Sequence, residues 1–419
     1  MVTNFRFLNT LRSKDQLLIN KSIILNYLRE NTSTSRAKIA RELGISAPTT
    51  SKIIDKFISE GFVVELGKNI STGGKKATKL GFNAKYGSVI GVDLGKDRVR
   101  IARSDMGGQI LEKHIGFEIY FKDKDLLEKV KNEIQLFLDN IKPDKVNGND
   151  ISTDLKGICI GIPADIDSDS GIVLSSSLFV DWQDLNLKEI LSKHFKMKIF
   201  VENAKDMSAI GEKYLGGGKH YKNFVNLEIG EGIGAGIIID DQLYKGSCFS
   251  AGQVGFIIEN KKDLYSTYKI KGFMEKNASP NILKRDIIKI IESGKKTLVS
   301  EIVGNDLNKI SPSIVCKAAI LGDKAAIKIV KNVVENLAII VLNLTLILNP
   351  EIIVIGGDIV ELPEVKKLFI DPIKGFIKNI VPFKLPIIKT ASLGVDAGVL
   401  GCSVSAINNI LGTQYPYKI

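Results

Sequence analysis

The sequence predicts an α/β protein with an N-terminal winged helix-turn-helix, followed by a duplicated, two-lobed domain of the actin-like ATPase (ribonuclease H-like) class. Three observations carry this expectation. Two short, capped helices separated by a tight turn occupy Ser35–Glu60. Positive charge is concentrated around them: residues 1–85 hold 15 Lys/Arg against 6 Asp/Glu, whereas the other 334 residues hold 43 against 41. Beyond residue 87, strands alternate with helices in two similar halves, each opening with a strand, a glycine-rich turn and a second strand.

In chain order, Leu17–Arg29 has helical spacing, with Leu18, Ile19, Ile23, Ile24, Tyr27 and Leu28 on its buried side. Ser35 caps the next helix, whose apolar face is Ala37, Ile39, Ala40 and Leu43, and Gly44 ends it because glycine enters the left-handed region cheaply. Ser46 caps a third helix that buries Ile53, Ile54, Phe57 and Ile58. Its outer face begins Pro48, Thr49, Thr50, Ser51, Lys52, and small hydroxyls with one cation at a helix N-terminus suit a DNA major groove. With Arg36 at the start of the preceding helix, these residues and Ser46 form the candidate DNA-reading set. Strand-like pieces at 61–66 and 79–82 flank a basic hairpin tip in which Gly73 and Gly74 permit close backbone approach. Lys75 and Lys76 there reach for phosphates or the minor groove.

The second domain starts after a short linker at 83–87. Its first half contains an apolar strand ending at Asp93 and Gly95, a partner strand at 99–102, a helix at 126–141, strands at 155–162 and 198–201, and a helix at 187–195 between these two. The pattern restarts at Phe224–Ile229 with the turn Gly230-Glu231-Gly232, continues through helices from Asn281 to Leu348, and adds a strand at 352–355 and a last helix after Gly401. The expected divisions are 1–82, then 83–200 together with about 390–419, then 201–389.

Composition narrows the class further. Cys159, Cys248, Cys316 and Cys402 are widely spaced with no CxxC pair, which predicts buried free thiols rather than disulfides or zinc ligands. The opening residues do not read as a signal peptide, and Leu337–Leu348 is too short for a bilayer and is interrupted by Asn343. A soluble cytoplasmic protein is expected.

Several motifs in fixed order make the chain, from about residue 17 to 410, resemble the ROK family of sugar-responsive repressors and sugar kinases. They are Ser35-Arg36-Ala37 with Ile39-Ala40, Gly44 to Ser51, Gly73-Gly74-Lys75-Lys76, Gly91 to Gly95, and Ile160 to Pro163. Val201-Glu202-Asn203, Ala209 to Glu212 and Gly232 to Ile238 continue the series. The winged helix places the resemblance on the repressor branch. It implies a homodimer or homotetramer on operator DNA, modulated by a carbohydrate in the cleft, with xylose or a related plant sugar as first candidate.

By the same resemblance, sugar hydroxyls would meet Ser177, Asn203, Gln253, Phe256 and Glu275, with Phe256 able to stack on a sugar face. Kinase relatives carry an aspartate as proton acceptor where this chain has Ala204. Asp206, two residues on, is turned about 200° around a helix. The second phosphate turn carries Glu231, and like charges about 4 Å apart repel by ~1–4 kcal/mol. The family's zinc ligands are replaced as well: Phe256 follows Gly255, and Tyr265–Phe273 has no cysteine, leaving Tyr265, Tyr268 and Phe273 to hold the loop by packing. No catalytic residue, metal site or cofactor is therefore expected. The alternatives are a sugar kinase with residual ATP-dependent activity, or a DNA-binding regulator whose second domain is only an oligomerisation scaffold.

Overall fold

The computed structural model describes residues 13–413, apart from 69–77, 96, 121–122, 143–144, 147–148, 151–153, 177, 260 and 267–270. Three helices come first: α1 (Ser13–Glu30), α2 (Arg36–Leu43) and α3 (Ala47–Ser59). Their ends form as local chemistry dictates. Ser35 Oγ accepts the Lys38 N–H and Ser46 Oγ accepts the Thr49 N–H, each at 3.3 Å, while Gly44 terminates α2 at φ +64°. Strands β1 (Val63–Lys68) and β2 (Thr78–Phe82) pair antiparallel as the wing. Its tip, with Gly73, Gly74, Lys75 and Lys76, lies outside the described residues. Ile24, Leu28, Ile39, Ile53, Ile54, Phe57, Val63 and Leu80 make one core. Two side chains depart from the expected face. Leu18 is 57% exposed because the first turns of α1 run past the core, which is engaged only from Ser22 onward. Ala37 is exposed, off the stripe that buries Ile39.

The linker is an ordered joint. Ala84–Tyr86 forms a single 3-10 turn, Asn83 Nδ2 donates to Gly61 O at 2.8 Å, and the Tyr86 ring lies 4.6 Å from that of Phe62.

The first lobe contains β3 (Ser88–Asp93), β4 (Arg98–Asp105), β5 (Ile110–Glu118), α4 (Leu126–Asp139), β6 (Leu155–Ile162), β7 (Asp165–Asp167), β8 (Ile172–Ser175), α5 (Leu187–Phe195) and β9 (Ile199–Asn203). Its five-stranded sheet has the order β9-β6-β3-β4-β5. The second lobe follows α6 (Ala204–Tyr214), with β10 (Phe224–Ile229), β11 (Ile233–Ile239), β12 (Gln242–Leu243), α7 (Phe273–Ala278), α8 (Asn281–Glu292), α9 (Leu298–Ile302), α10 (Pro312–Ile320) and α11 (Lys324–Leu348). Then come β13 (Ile352–Gly356), α12 (Asp371–Lys378), β14 (Ile387–Thr390) and α13 (Ala397–Leu411). Its sheet has the order β12-β11-β10-β13-β14. The two sheets share one plan. The leading strand pairs antiparallel with the next and parallel with a later one, which pairs parallel with the last. A division at residue 200 would cut β9, which stays in the first sheet to Asn203.

α6 and α13 form a middle layer between the sheets. Met207, Ile210, Cys402 and Ile407 from these helices pack with Val89 and Cys159 of the first sheet and with Phe224 and Val354 of the second. The approach is close enough to demand glycine: a Cβ on Gly401 would lie 1.7 Å from Met207 O, and one on Gly211 2.2 Å from Ala397 O. Gly394–Leu411 has a mean hydropathy of 1.2 and a length sufficient for a membrane span, yet 67% of it is buried in this layer. Among the cysteines, Cys248 departs from the expected burial; it is exposed in the loop after β12, where no apolar run surrounds it.

Candidate DNA interface and ligand cleft

The exposed start of α3 follows from its caps and its stripe. Ser46 Oγ, besides accepting the Thr49 N–H, donates to Thr49 Oγ1 at 2.8 Å, and Pro48 sits in the first turn, where its missing N–H costs nothing. Ser46, Pro48 and Lys52 are exposed, and Thr49 and Ser51 are half-buried. Thr50 does not join them. It is fully buried, because positions 50, 53, 54 and 57 form a single helical stripe and it faces the core with Ile53, Ile54 and Phe57. Arg36 is not a free cation either: its Nη2 lies 2.5 Å from Asp55 Oδ1, bracing α2 against α3.

The expected cleft between the lobes is flanked by the two glycine turns, which follow the C-terminal ends of β3 and β10. Asp93 Oδ1 accepts the Gly95 N–H at 2.8 Å, and a Cβ on Gly95 would touch that of Ala204 at 3.4 Å, so Ala204 sits against the first glycine turn. In the second turn Glu231 pairs with Lys271 at 3.0 Å, which offsets the negative charge the sequence places there.

Two sets of hydrogen bonds close the cleft from lobe to lobe. Lys245 Nζ, after β12, donates to Glu202 Oε2 at 2.6 Å and to Ser168 Oγ at 2.7 Å, and Ser168 Oγ donates to Glu202 at 2.7 Å. Gln253 Nε2 donates to Asp165 Oδ1 at 2.7 Å, while Ser175 Oγ donates to Asp165 Oδ2 at 3.0 Å. Asp165, Glu202, Lys245 and Ser168 are polar groups that sequence reasoning missed. Only Lys245 carried a local signal, a lone cation before the glycine of Tyr244-Lys245-Gly246; Asp165 and Glu202 lie in strands, and Ser168 is an uncharged residue in a polar turn.

The expected sugar contacts divide. Asn203 is buried and caps α6, its Oδ1 accepting the Lys205 N–H at 3.0 Å. Gln253 is in the closure. Glu275 braces the second turn instead of offering free oxygens: Oε1 accepts the Ile233 N–H at 3.1 Å and Oε2 the Gly272 N–H at 2.9 Å. Phe256 is 43% exposed, on the surface rather than in a core. Ser177 and Tyr268 lie outside the described residues, and Tyr265 is 91% exposed, so it packs on nothing.

Asp206 is the most perturbed acid of the cleft. Burial pushes its pKa up to about 6; Lys205 and Lys245 oppose the shift, and Glu202 and Asp165 add to it. The native state thus holds this proton more tightly than the unfolded chain. The associated stability is fully present below the ordinary carboxylate pKa and is lost as pH rises through 6, a swing of about 3 kcal/mol. Asp206→Asn is therefore expected to stabilise the protein by ~1–3 kcal/mol at pH 8 and by little at pH 4. Urea titrations at both pH values check this; an equal effect at both would refute it.

Comparison with known proteins agrees with this architecture. A winged helix-turn-helix DNA-binding family model matches residues 19–64, and the ROK family model matches residues 89–408. The chain is 31% identical over 396 residues to the xylose repressor of Caldicellulosiruptor bescii, covering 94% of this chain and 96% of that one. It is 28% identical over 322 residues to the glucokinase of Thermotoga maritima, covering 75% of this chain and 96% of that one. A solved ROK family transcriptional regulator, a homolog of the E. coli MLC protein, has the same fold with a TM-score of 0.78 at 22% identity, over 96% of this chain and 98% of that one. The chain belongs to the ROK family, with a winged helix-turn-helix joined to the family's two-lobed domain.

Proposed function

We propose that the protein is a sugar-responsive transcriptional repressor, a cytoplasmic homodimer or homotetramer whose winged helix binds operator DNA under the control of a carbohydrate in the interlobe cleft. The observation that carries this reading is the fusion itself: a capped recognition helix with Ser46, Pro48 and Lys52 exposed, set on a two-lobed domain whose lobes are joined by polar side-chain bridges. Gln253, Asp165 and Lys245, which present donors and acceptors at the closure, and the buried Asn203 beside them, are the groups suited to sugar hydroxyls. Xylose is the first candidate, given the name of the 31%-identical relative.

The kinase alternative is disfavoured because Ala204 carries no proton acceptor and Asp206 is 4% exposed, with no path to a substrate hydroxyl. The deciding experiment uses a DNA duplex selected by the protein from a random pool. Its affinity is measured with and without D-xylose, L-arabinose and D-glucose, beside an ATP-coupled assay on the same sugars. One sugar is expected to change affinity at least fivefold with no phosphorylation. No change with any sugar would favour the scaffold reading, and turnover would favour the kinase. In the same assay Lys75→Ala with Lys76→Ala is expected to weaken binding and flatten its salt dependence by up to about two units of slope. An unchanged slope would count against the wing.

A further inference from the structure

The last turn of α1 and the last turns of α13 meet at a polar contact beside the apolar core of the winged helix. Arg29 Nη1 donates to Asn408 Oδ1 at 2.9 Å. Asn408 is buried, and Thr413 fixes its position, its N–H reaching Asn408 O at 2.9 Å. Burial lowers the Arg29 pKa, while Tyr214 at the end of α6 and Glu30 oppose that shift. Leu411 of α13 packs against the winged-helix core, so the same helix end touches the DNA-binding domain through both apolar and polar contacts.

The other end of α13 is at the cleft. A Cβ on Gly398 would lie 2.4 Å from Asp93 Oδ2, the carboxylate that holds the first glycine turn. Between these ends Gly401 presses on the Met207 backbone, locking α13 to α6, whose first residues are Ala204 and Lys205 beside the closure. Close-packed helices transmit strain, so the packing of α13 on α6 gives a displacement at the cleft a route to Asn408. A directional hydrogen bond from a half-buried guanidinium responds to such a displacement more sharply than the surrounding methyl groups do.

We propose that Arg29 and Asn408 are positioning residues that transmit the state of the interlobe cleft to the winged helix, through α13. This rests on the sugar-responsive reading above. Neither residue touches DNA or ligand; they set the orientation of α1, and through it α2 and α3, relative to the lobes.

The test uses the full chain, the selected duplex and whichever of D-xylose, L-arabinose or D-glucose alters wild-type binding. Arg29→Met keeps the apolar stem and removes the donor, and Asn408→Leu removes the acceptor. Each is expected to retain sugar affinity and sugar-free DNA affinity within about threefold, while the sugar-induced change in DNA affinity falls below twofold. The double variant is expected to be no worse than either single one, because both act on one contact. Asn408→Asp, which keeps an acceptor for Arg29, is expected to preserve the response; it also serves as the folded control should the other variants misfold. An unchanged sugar response in Arg29→Met or Asn408→Leu would overturn the proposal, as would its loss in a folded Asn408→Asp. Absence of any sugar effect in the wild type would instead sink the underlying sugar-responsive reading, and this proposal with it.

Discussion

Gly401→Val is expected to cost at least ~3 kcal/mol of stability and to leave little folded protein at 37 °C. The reason lies in the middle layer. The Met207 carbonyl stands 1.7 Å from where the first side-chain carbon would be, and it belongs to a helix backbone that cannot step aside. Gly91 and Gly211 set the same limit nearby, at 2.4 Å from Val399 O and 2.2 Å from Ala397 O, so α13 has no direction in which to retreat. Gly375 provides the contrast. It is an exposed glycine in α12 with nothing within 4 Å of a built Cβ, and Gly375→Ala is expected to stabilise by about 0.5–1 kcal/mol through the backbone entropy of the unfolded chain. Denaturant titrations of the two variants side by side check the claim. A Gly401→Val midpoint near that of the wild type would mean that the two helices do not pack as described.

Lys52→Glu carries the largest expected effect on DNA binding. Lys52 is exposed on α3 at the helix end that holds Ser46 and Pro48. Reversing its charge removes an attraction for phosphate and adds a repulsion, which should lower affinity by about 10–100-fold at physiological salt and reduce the salt slope by about one unit per bound subunit. The fold should be untouched, because the core side of the helix is carried by Thr50, Ile53, Ile54 and Phe57. Filter binding across a salt series separates the outcomes. If affinity and slope both stay at wild-type values, the start of α3 does not face DNA.

How much of this was legible from sequence depended on the range of the interaction. Caps are local, so Ser35, Gly44 and Ser46 were readable. So was the repeated strand–turn–strand pattern that gives both sheets one topology. The burial of Thr50 was equally local, and the 50-53-54-57 spacing encodes it; the hydroxyl drew attention to the wrong face. The closure of the cleft was not readable. Lys245 meets Glu202 across 43 residues and Gln253 meets Asp165 across 88, and periodicity does not specify which loops of two lobes will face each other. Glu275 shows the same limit. The family resemblance implied a sugar contact there, whereas both of its oxygens are held by backbone N–H groups of Ile233 and Gly272.

The reach of α13 also bears on how the protein is made. Arg29 and Asn408 stand 379 residues apart in sequence, and α13, which shares the middle layer with α6, is translated long after the first sheet that it helps to cover. Synthesis proceeds at roughly 5–20 residues per second, so about 20–80 seconds separate the emergence of the two partners. During that interval the three helices and the wing can assemble around their own core, while the first lobe still exposes the apolar face meant for α13. A nascent chain on the ribosome would therefore present a DNA-binding head before the helix that connects it to the cleft exists, and the period of greatest aggregation risk coincides with the period in which binding is unregulated.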